Sequence, residues 1–240
     1  MKILREYIRS LLLEGVMDPG TFKAIFLAGG PGSGKSTAVR THVLPQVHGL
    51  KVVNTDDMFE LLMKKSIESG ELDSMDMKDD SRENRIKKLK MFNKSRALTK
   101  KRKEMFVDNR LGVVIDGTGG SFGTIRNQKK KLEDLGYETF MLYVDTTLDT
   151  ALKRNIKRGE AGGRRLRDED VARSWGAVDK NKQLYVDLFK DNIAILDGND
   201  SSNPNNQIQS KKIRNFIVAP VINQIAAAWI DKETEKRSRS

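Results

Sequence analysis

Residues 29–36 read Gly29-Gly30-Pro31-Gly32-Ser33-Gly34-Lys35-Ser36 and fit the template G-x-x-x-x-G-K-[ST] at every fixed position. Each position has a mechanical job. Glycines let the chain turn tightly and aim successive backbone N–H groups into one concavity, which suits an oligophosphate. Lys35 has the reach for the outer phosphates of a nucleoside triphosphate, and the hydroxyl of Ser36, followed by Thr37, is a ligand type for Mg2+. Three further groups carry charge where chemistry would need it. Asp116 ends the apolar run Val113-Val114-Ile115, the place of the carboxylate that orients Mg2+ in P-loop enzymes. Asp56 and Asp57 follow the run that closes at Asn54. One acid there could take a proton from an attacking hydroxyl, and the other could cap or support the next helix. The expectation is Asp56 as base and Asp57 as cap or support. Arg154 and Arg158 lie four apart on one helical face, and Arg164 and Arg165 follow the glycine-rich stretch 159–163. A hinged cationic lid of this kind can close over a triphosphate and offset charge on a transferred phosphoryl group; a solubilising surface is the alternative.

These groups need a scaffold that brings them together, and the apolar pattern supplies one. Five strand-length runs, at 24–28, 51–54, 112–116, 139–144 and 193–196, alternate with helical patterns near 35–44, 57–69, 81–110, 123–135, 147–159 and 167–190. Such alternation predicts βαβ crossovers, a parallel sheet with helices on both faces, and ligands at the C-terminal strand ends. The expected fold class is α/β, a P-loop NTPase three-layer α/β/α sandwich on a five-stranded parallel sheet, with extra N- and C-terminal helices. Along the chain this divides into an N-terminal amphipathic helix within 1–20, a domain over 21–200, a linker at 201–207, a C-terminal helix at 208–232 that is broken or started near Pro220, and a disordered tail at 233–240. The N-terminal helix either packs on the domain or docks to a partner. His42 and His48 lack any partner pattern and read as structural or surface residues.

Charge narrows the ligand classes. Lys and Arg number 44 against 33 Asp and Glu, a net +11, and the excess is uneven. Segment 56–80 holds nine acids and three bases, 81–110 holds twelve bases and three acids, and 153–167 holds seven bases and one acid. Basic stretches facing a cleft attract phosphorylated ligands or nucleic acid. For 81–110 a solvated helix face is the other reading, and its aromatics, Phe92 and Phe106, do not by themselves make a base-stacking surface. With no cysteine, disulfides and thiolate metal sites are excluded, which is compatible with a cytoplasmic protein. No apolar run reaches the roughly 18 residues that span a bilayer, so no membrane partner is expected.

Together these motifs resemble the P-loop kinases of the polynucleotide 5′-kinase and zeta-toxin group, phage-type, over roughly residues 22–200. The resemblance is carried by the loop at 29–37, by Asn54-Thr55-Asp56-Asp57, by Asp116-Gly117-Thr118, and by Leu152-Lys153-Arg154-Asn155-Ile156-Lys157-Arg158-Gly159. It implies an ATP- and Mg2+-dependent kinase with Asp56, Lys35 and Arg158 as catalytic residues. ATP would meet the loop from Gly29 to Thr37 together with Arg154 and Arg164, and Mg2+ would meet Ser36 and Asp116. The implied acceptor is a hydroxyl, either a nucleic-acid 5′ end or a nucleotide sugar, in the cytoplasm of a host if the chain is phage-encoded. One departure stands out: Phe59 occupies the position, three after the aspartate, where the polynucleotide kinases carry an arginine. The alternatives are an ATP-hydrolysing NTPase, or a basic nucleic-acid-binding phage protein with a vestigial loop. Acceptor selectivity is expected within 57–110.

Overall fold

The computed structural model describes residues 16, 18–46, 49–77 and 81–238, so His48 and nearly all of the expected N-terminal helix lie outside the described residues. Strands β1 (Lys23–Ala28), β2 (Lys51–Val53), β3 (Val113–Ile115), β4 (Glu138–Asp145) and β5 (Ile193–Asp197) form one sheet in the order β2-β3-β1-β4-β5. Every pairing is parallel, with Phe26 opposite Ile115 on one side and Met141 on the other. A parallel sheet covered on both faces demands strands that are apolar at successive positions. β1 meets that demand along its whole length: Ala24, Phe26 and Ala28 enter one core, and Ile25 and Leu27 enter the other. Its one charge, Lys23, is fully buried, pairs with Glu138 and lies over the Phe216 ring. A buried ammonium without such partners would be strongly destabilising.

The helices are α1 (Lys35–Ala38), which runs on through a π-helical turn Val39–Val43 and a 3-10 turn Leu44–Gln46, then α2 (Thr55–Glu68), α3 (Arg82–Asp108), α4 (Phe122–Asp134) and α5 (Leu148–Glu160). They continue with α6 (Asp168–Lys180), α7 (Lys182–Phe189), α8 (Pro204–Val218) and α9 (Gln224–Ser238). One layer packs Ile125 and Leu132 of α4 and Tyr185 and Phe189 of α7 on the sheet. The opposite layer packs Val39, Val43 and, from α8, Ile213 and Ile217. The three-layer α/β/α arrangement is therefore present. Helices α2 and α3 keep a small core of their own, in which Phe59, Met63 and Leu72 pack with Phe92.

Three boundaries differ from the sequence expectation, the first two for local reasons. The pattern at 167–190 is two helices, because the Asn181 amide turns away to donate to the carbonyls of Gly119 and Gly120, each at 3.1 Å. The segment read as a linker over 201–207 already contains a helix start. Asn203 accepts from Asn205 N–H at 3.0 Å and Pro204 opens α8, a position that suits proline because no N–H is needed there. The C-terminal pattern at 208–232 is broken near Pro220, as its sequence indicates, with Ala219 held in extended backbone, but α9 continues through Ser238 into the stretch read as a disordered tail. No helix among the described residues is long and apolar enough to cross a membrane.

Candidate active site

The loop that leaves β1 turns at Gly29, Gly32 and Gly34, whose φ values are 150°, 77° and 97°. At Gly32 the fit is close as well as strained: a Cβ there would lie 2.4 Å from the Ala151 carbonyl oxygen of α5. The same helix holds the loop by its carbonyls. Arg154 Nη1 donates to Gly32 O at 3.3 Å and Ser33 O at 3.2 Å, and Thr146 Oγ1 donates to Ser33 O at 3.1 Å. Gly29 N–H is on Thr118 O and Ser33 N–H on Gly30 O, and with the carbonyls engaged on the α5 side the remaining loop amides are left for an anion. The Ser33 hydroxyl is buried in the loop without a partner. Lys35 Nζ donates to Gly29 O at 2.7 Å and Gly30 O at 3.2 Å. Burial holds the Lys35 ammonium below its ordinary range, Arg158 and Arg164 act the same way, and Asp116 and Asp56 oppose them. A phosphate would offer that ammonium a charged acceptor in place of neutral carbonyls. Ser36 and Thr37 stand exposed at the loop mouth.

The acids come from the two neighbouring strand ends. Asn54, not Asp57, caps α2: its side chain accepts from Asp56 N–H at 2.8 Å and Asp57 N–H at 3.4 Å. The cap role expected of Asp57 is thereby corrected, and both carboxylates are left for other partners. Asp56 Oδ2 lies 2.9 Å from Arg164 Nη2. Asp116 follows β3 directly, with its N–H on Val53 O at 2.9 Å. Burial pushes its carboxyl up to about 6, with Asp56 and Asp57 adding to the rise and Lys35 opposing it. The folded protein therefore holds this proton more tightly than the unfolded chain does, so ionised Asp116 lowers stability as pH rises from about 4 to about 6, and fully above that. Asp116→Asn should accordingly stabilise the ligand-free protein at pH 7.5 by on the order of 2 kcal/mol, with the gain shrinking towards pH 4.5. Urea titrations of both proteins across that range check the sign; an equal difference at every pH would refute it.

The lid is better anchored than its glycines imply. α5 runs through Gly159 to Glu160, and the turn beyond it closes with Gly162 N–H on Gly159 O and Gly163 N–H on Arg158 O, both at 2.9 Å. Buried Asn155 then clasps the returning chain: its Nδ2 donates to Leu166 O at 2.8 Å, and its Oδ1 accepts from Leu166 N–H at 3.0 Å. Arg158 is hydrogen-bonded to Glu60. Arg164, only 8% exposed, reaches Asp56, lies 5.6 Å over the Phe59 ring and has its Nε 3.9 Å from Glu60. Burial, with Arg164 close by, pushes the Arg158 guanidinium below its ordinary range. Lys35, Asp56, Asp116, Arg158 and Arg164 are thus brought together, whereas Arg154 turns to the loop backbone. Sequence reading missed Glu60 and Asn155. Glu60 had a signal, one helical turn beyond Asp56; Asn155 had none.

Among the described residues no group of three or more His, Cys, Asp or Glu could cage a metal. Mg2+ does not require one, since it commonly takes one or two protein ligands and completes its shell with phosphate oxygens and water. A buried carboxylate opposed by a single ammonium, with the exposed Ser36 on the neighbouring loop, fits that habit. Beside Asp116 a cavity of about 800 Å3 opens between α3 and α4, and a smaller one of about 220 Å3 shares Ile115, Asp116 and Gln128 with it.

This sheet order, loop and carboxylate pair define a P-loop kinase-like domain. The chain belongs to the AAA domain family, whose model matches residues 25–177. Adenylate kinase isoenzyme 1 of Sus scrofa is 31% identical over 144 residues, which are 59% of this chain and 67% of that protein. Among solved structures, a chain of the PezAT chromosomal toxin-antitoxin system of Streptococcus pneumoniae superposes with TM-score 0.52 at 14% identity, covering 91% of this chain and 88% of that one. The AvrRxo1-ORF1:-ORF2 structure with ATP gives TM-score 0.57 at 13% identity, covering 95% and 88%. At such identities the likeness is one of fold. With a chain of the Pnkp1/Rnl/Hen1 RNA repair complex the figures are 23% identity and TM-score 0.45, and this chain spans 45% of that one's length.

Proposed function

We propose that the chain is an ATP- and Mg2+-dependent kinase that transfers the γ-phosphoryl group of ATP to a hydroxyl of a second substrate. The observation that carries this reading is the meeting of Lys35, Asp116 and Asp56, from the ends of three adjacent strands, with Arg158 and Arg164 of the lid. Membership of the AAA domain family and similarity to an adenylate kinase support it. The amides of the loop from Gly29 to Thr37 hold the phosphate chain, and Lys35 draws negative charge at its outer end. Arg154 keeps the loop in shape from outside. Ser36 and Asp116 would hold Mg2+, which when bound offsets charge between the outer phosphates. Asp56 accepts the proton of the attacking hydroxyl, and Arg158 and Arg164 stabilise charge on the moving phosphoryl group. A nucleic-acid 5′ end and a nucleotide sugar are the acceptors to which the sequence resemblance points.

The test is ATP turnover with Mg2+ in the presence and absence of hydroxyl acceptors, following γ-labelled phosphate. ADP formation that depends on acceptor, with label on the acceptor, is the expected result. ADP formed equally without acceptor would make the chain an NTPase, and no turnover with tight ATP binding would make it a binding module.

A further inference from the structure

The basic segment 81–110 is the helix α3, and one face of it lines the large cavity beside Asp116. Arg96, Lys100, Lys103 and Val107 follow one another at spacings of four and three along that wall, with Thr99 next to Lys100. The rise from Arg96 to Lys103 is about 10 Å. Lys131 of α4 stands on the other wall, and Val53, Ile115 and Leu132 give the cavity an apolar floor that ends at Asp116. Among the described residues, Arg96 and Lys131 have no acidic partner. Among the described residues Lys103 donates to Gln128, at 3.4 Å; burial lowers its basicity, Glu104 opposes that, and Lys100 and Lys131 lower it further. Two acids of α3 share the lining, the exposed Glu104, 3.8 Å from Lys100, and Asp108 one turn further on, so bases outnumber acids on this wall without being alone there. In the same wall, Thr99 is 7% exposed and its hydroxyl is buried without a partner. Arg96, Lys103 and Lys131, gathered around one cavity without an acidic partner for the first and last, are arranged for an anion.

We infer that this cavity is the acceptor site, and that the acceptor is a small phosphate-bearing alcohol. Its phosphate lies against Arg96, Lys103 and Lys131, and its hydroxyl lies at the Asp116 end. The inference rests on the kinase reading above and deepens it. A volume of about 800 Å3 falls in the roughly 300–1,000 Å3 typical of small-molecule pockets. Among the described residues no aromatic side chain lines the cavity, and none there offers the stacking surface on which a single-stranded nucleic acid is held. The reaction balances without a further reagent. The acceptor O–H proton passes to Asp56, the oxygen bonds to the γ-phosphorus, and the bond from that phosphorus to the β-bridging oxygen breaks to leave ADP.

Two measurements on the full chain test this. In the first, inorganic phosphate is titrated calorimetrically into protein saturated with Mg2+ and a non-hydrolysable ATP analogue, so that the loop is filled. The expectation is one further phosphate site, weakened at least about tenfold in Lys103→Met. Absence of that site, or equal binding by the variant, overturns the inference. Failure of the analogue itself to bind counts instead against the kinase reading. In the second, label transfer is compared between sugar or nucleoside phosphates, their dephosphorylated partners, and a 5′-OH oligonucleotide. Preference for a phosphorylated small molecule, with its KM raised at least about tenfold in Lys131→Gln, supports the inference. Preference for the oligonucleotide, or for the dephosphorylated partner, overturns it. Lys131 is exposed on α4, so its replacement guards against a Lys103 variant that fails to fold.

Discussion

Asp56→Asn should lose phosphotransfer by a factor of about 10^3 while binding a non-hydrolysable ATP analogue almost as well as the parent. The substitution is isosteric and leaves the backbone N–H that Asn54 caps, so the start of α2 is preserved. The Asp56 side chain is half exposed and touches none of the loop residues at hydrogen-bond distance, so the phosphate cradle is untouched. What disappears is the charge that can accept a proton from an incoming hydroxyl, together with the ion pair to Arg164. The two losses can be separated. Glu60 remains 3.9 Å from Arg164 Nε and Phe59 remains beneath it, so the arginine keeps its seat. Single-turnover transfer to the acceptor, measured beside analogue affinity, reads the difference. Turnover equal to that of the parent would reduce Asp56 to an anchor for the lid and leave the base unassigned.

A comparable loss, by another route, is expected for Gly32→Ala. The residue has φ of 77°, a left-handed conformation that costs an L-residue about 1–2 kcal/mol. A methyl group there would also lie 2.4 Å from the Ala151 carbonyl oxygen, and that contact can be relieved only by moving the loop or α5. The combined penalty is on the order of 3 kcal/mol, felt as a lower midpoint in urea. Analogue affinity should fall by at least about a hundredfold, because the amides of the cradle no longer converge. Loss of affinity without loss of stability would mean that the loop yields and α5 does not. Retention of both would show that the loop is looser than its packing indicates.

Much of the donor side could be read from sequence because its parts are contiguous. The loop occupies one octet, Asp116 directly follows its strand, and β1 is apolar at successive positions because both of its faces are covered. Where the reading failed, the deciding contact was either local competition or a distant partner. Asn54, Asp56 and Asp57 are all good cap types; the extended backbone at Asn54 decides between them, and no sequence pattern reports it. Glu60 acquires its meaning from Arg158, 98 residues away. The same holds for the basic segment. Its twelve bases look alike in sequence, and only the approach of α4 separates Arg96, Lys100 and Lys103, which line a cavity, from Lys90, Lys94 and Lys101, which do not. Asn181 sets a helix break that periodicity runs through, by a side-chain bond to a loop, whereas the break at Pro220 is legible because the ring itself carries it.

The clasp that Asn155 makes on Leu166 has a kinetic corollary. A flexible strap could flicker open residue by residue, releasing product on the timescale of loop motion. Here the arginines hang from a turn stitched at both ends to α5, and the same helix is braced against the loop through Arg154 and Ala151. On the proposed kinase reading, release of ADP calls for helix and turn to move as one block, breaking the contacts of Arg158 and Arg164 with α2 in the same movement. Motions of that size belong to the microsecond-to-millisecond range. The expected result, should the kinase reading hold, is that departure of product and not transfer sets the pace of the cycle, checked by a pre-steady-state burst equal to the number of sites.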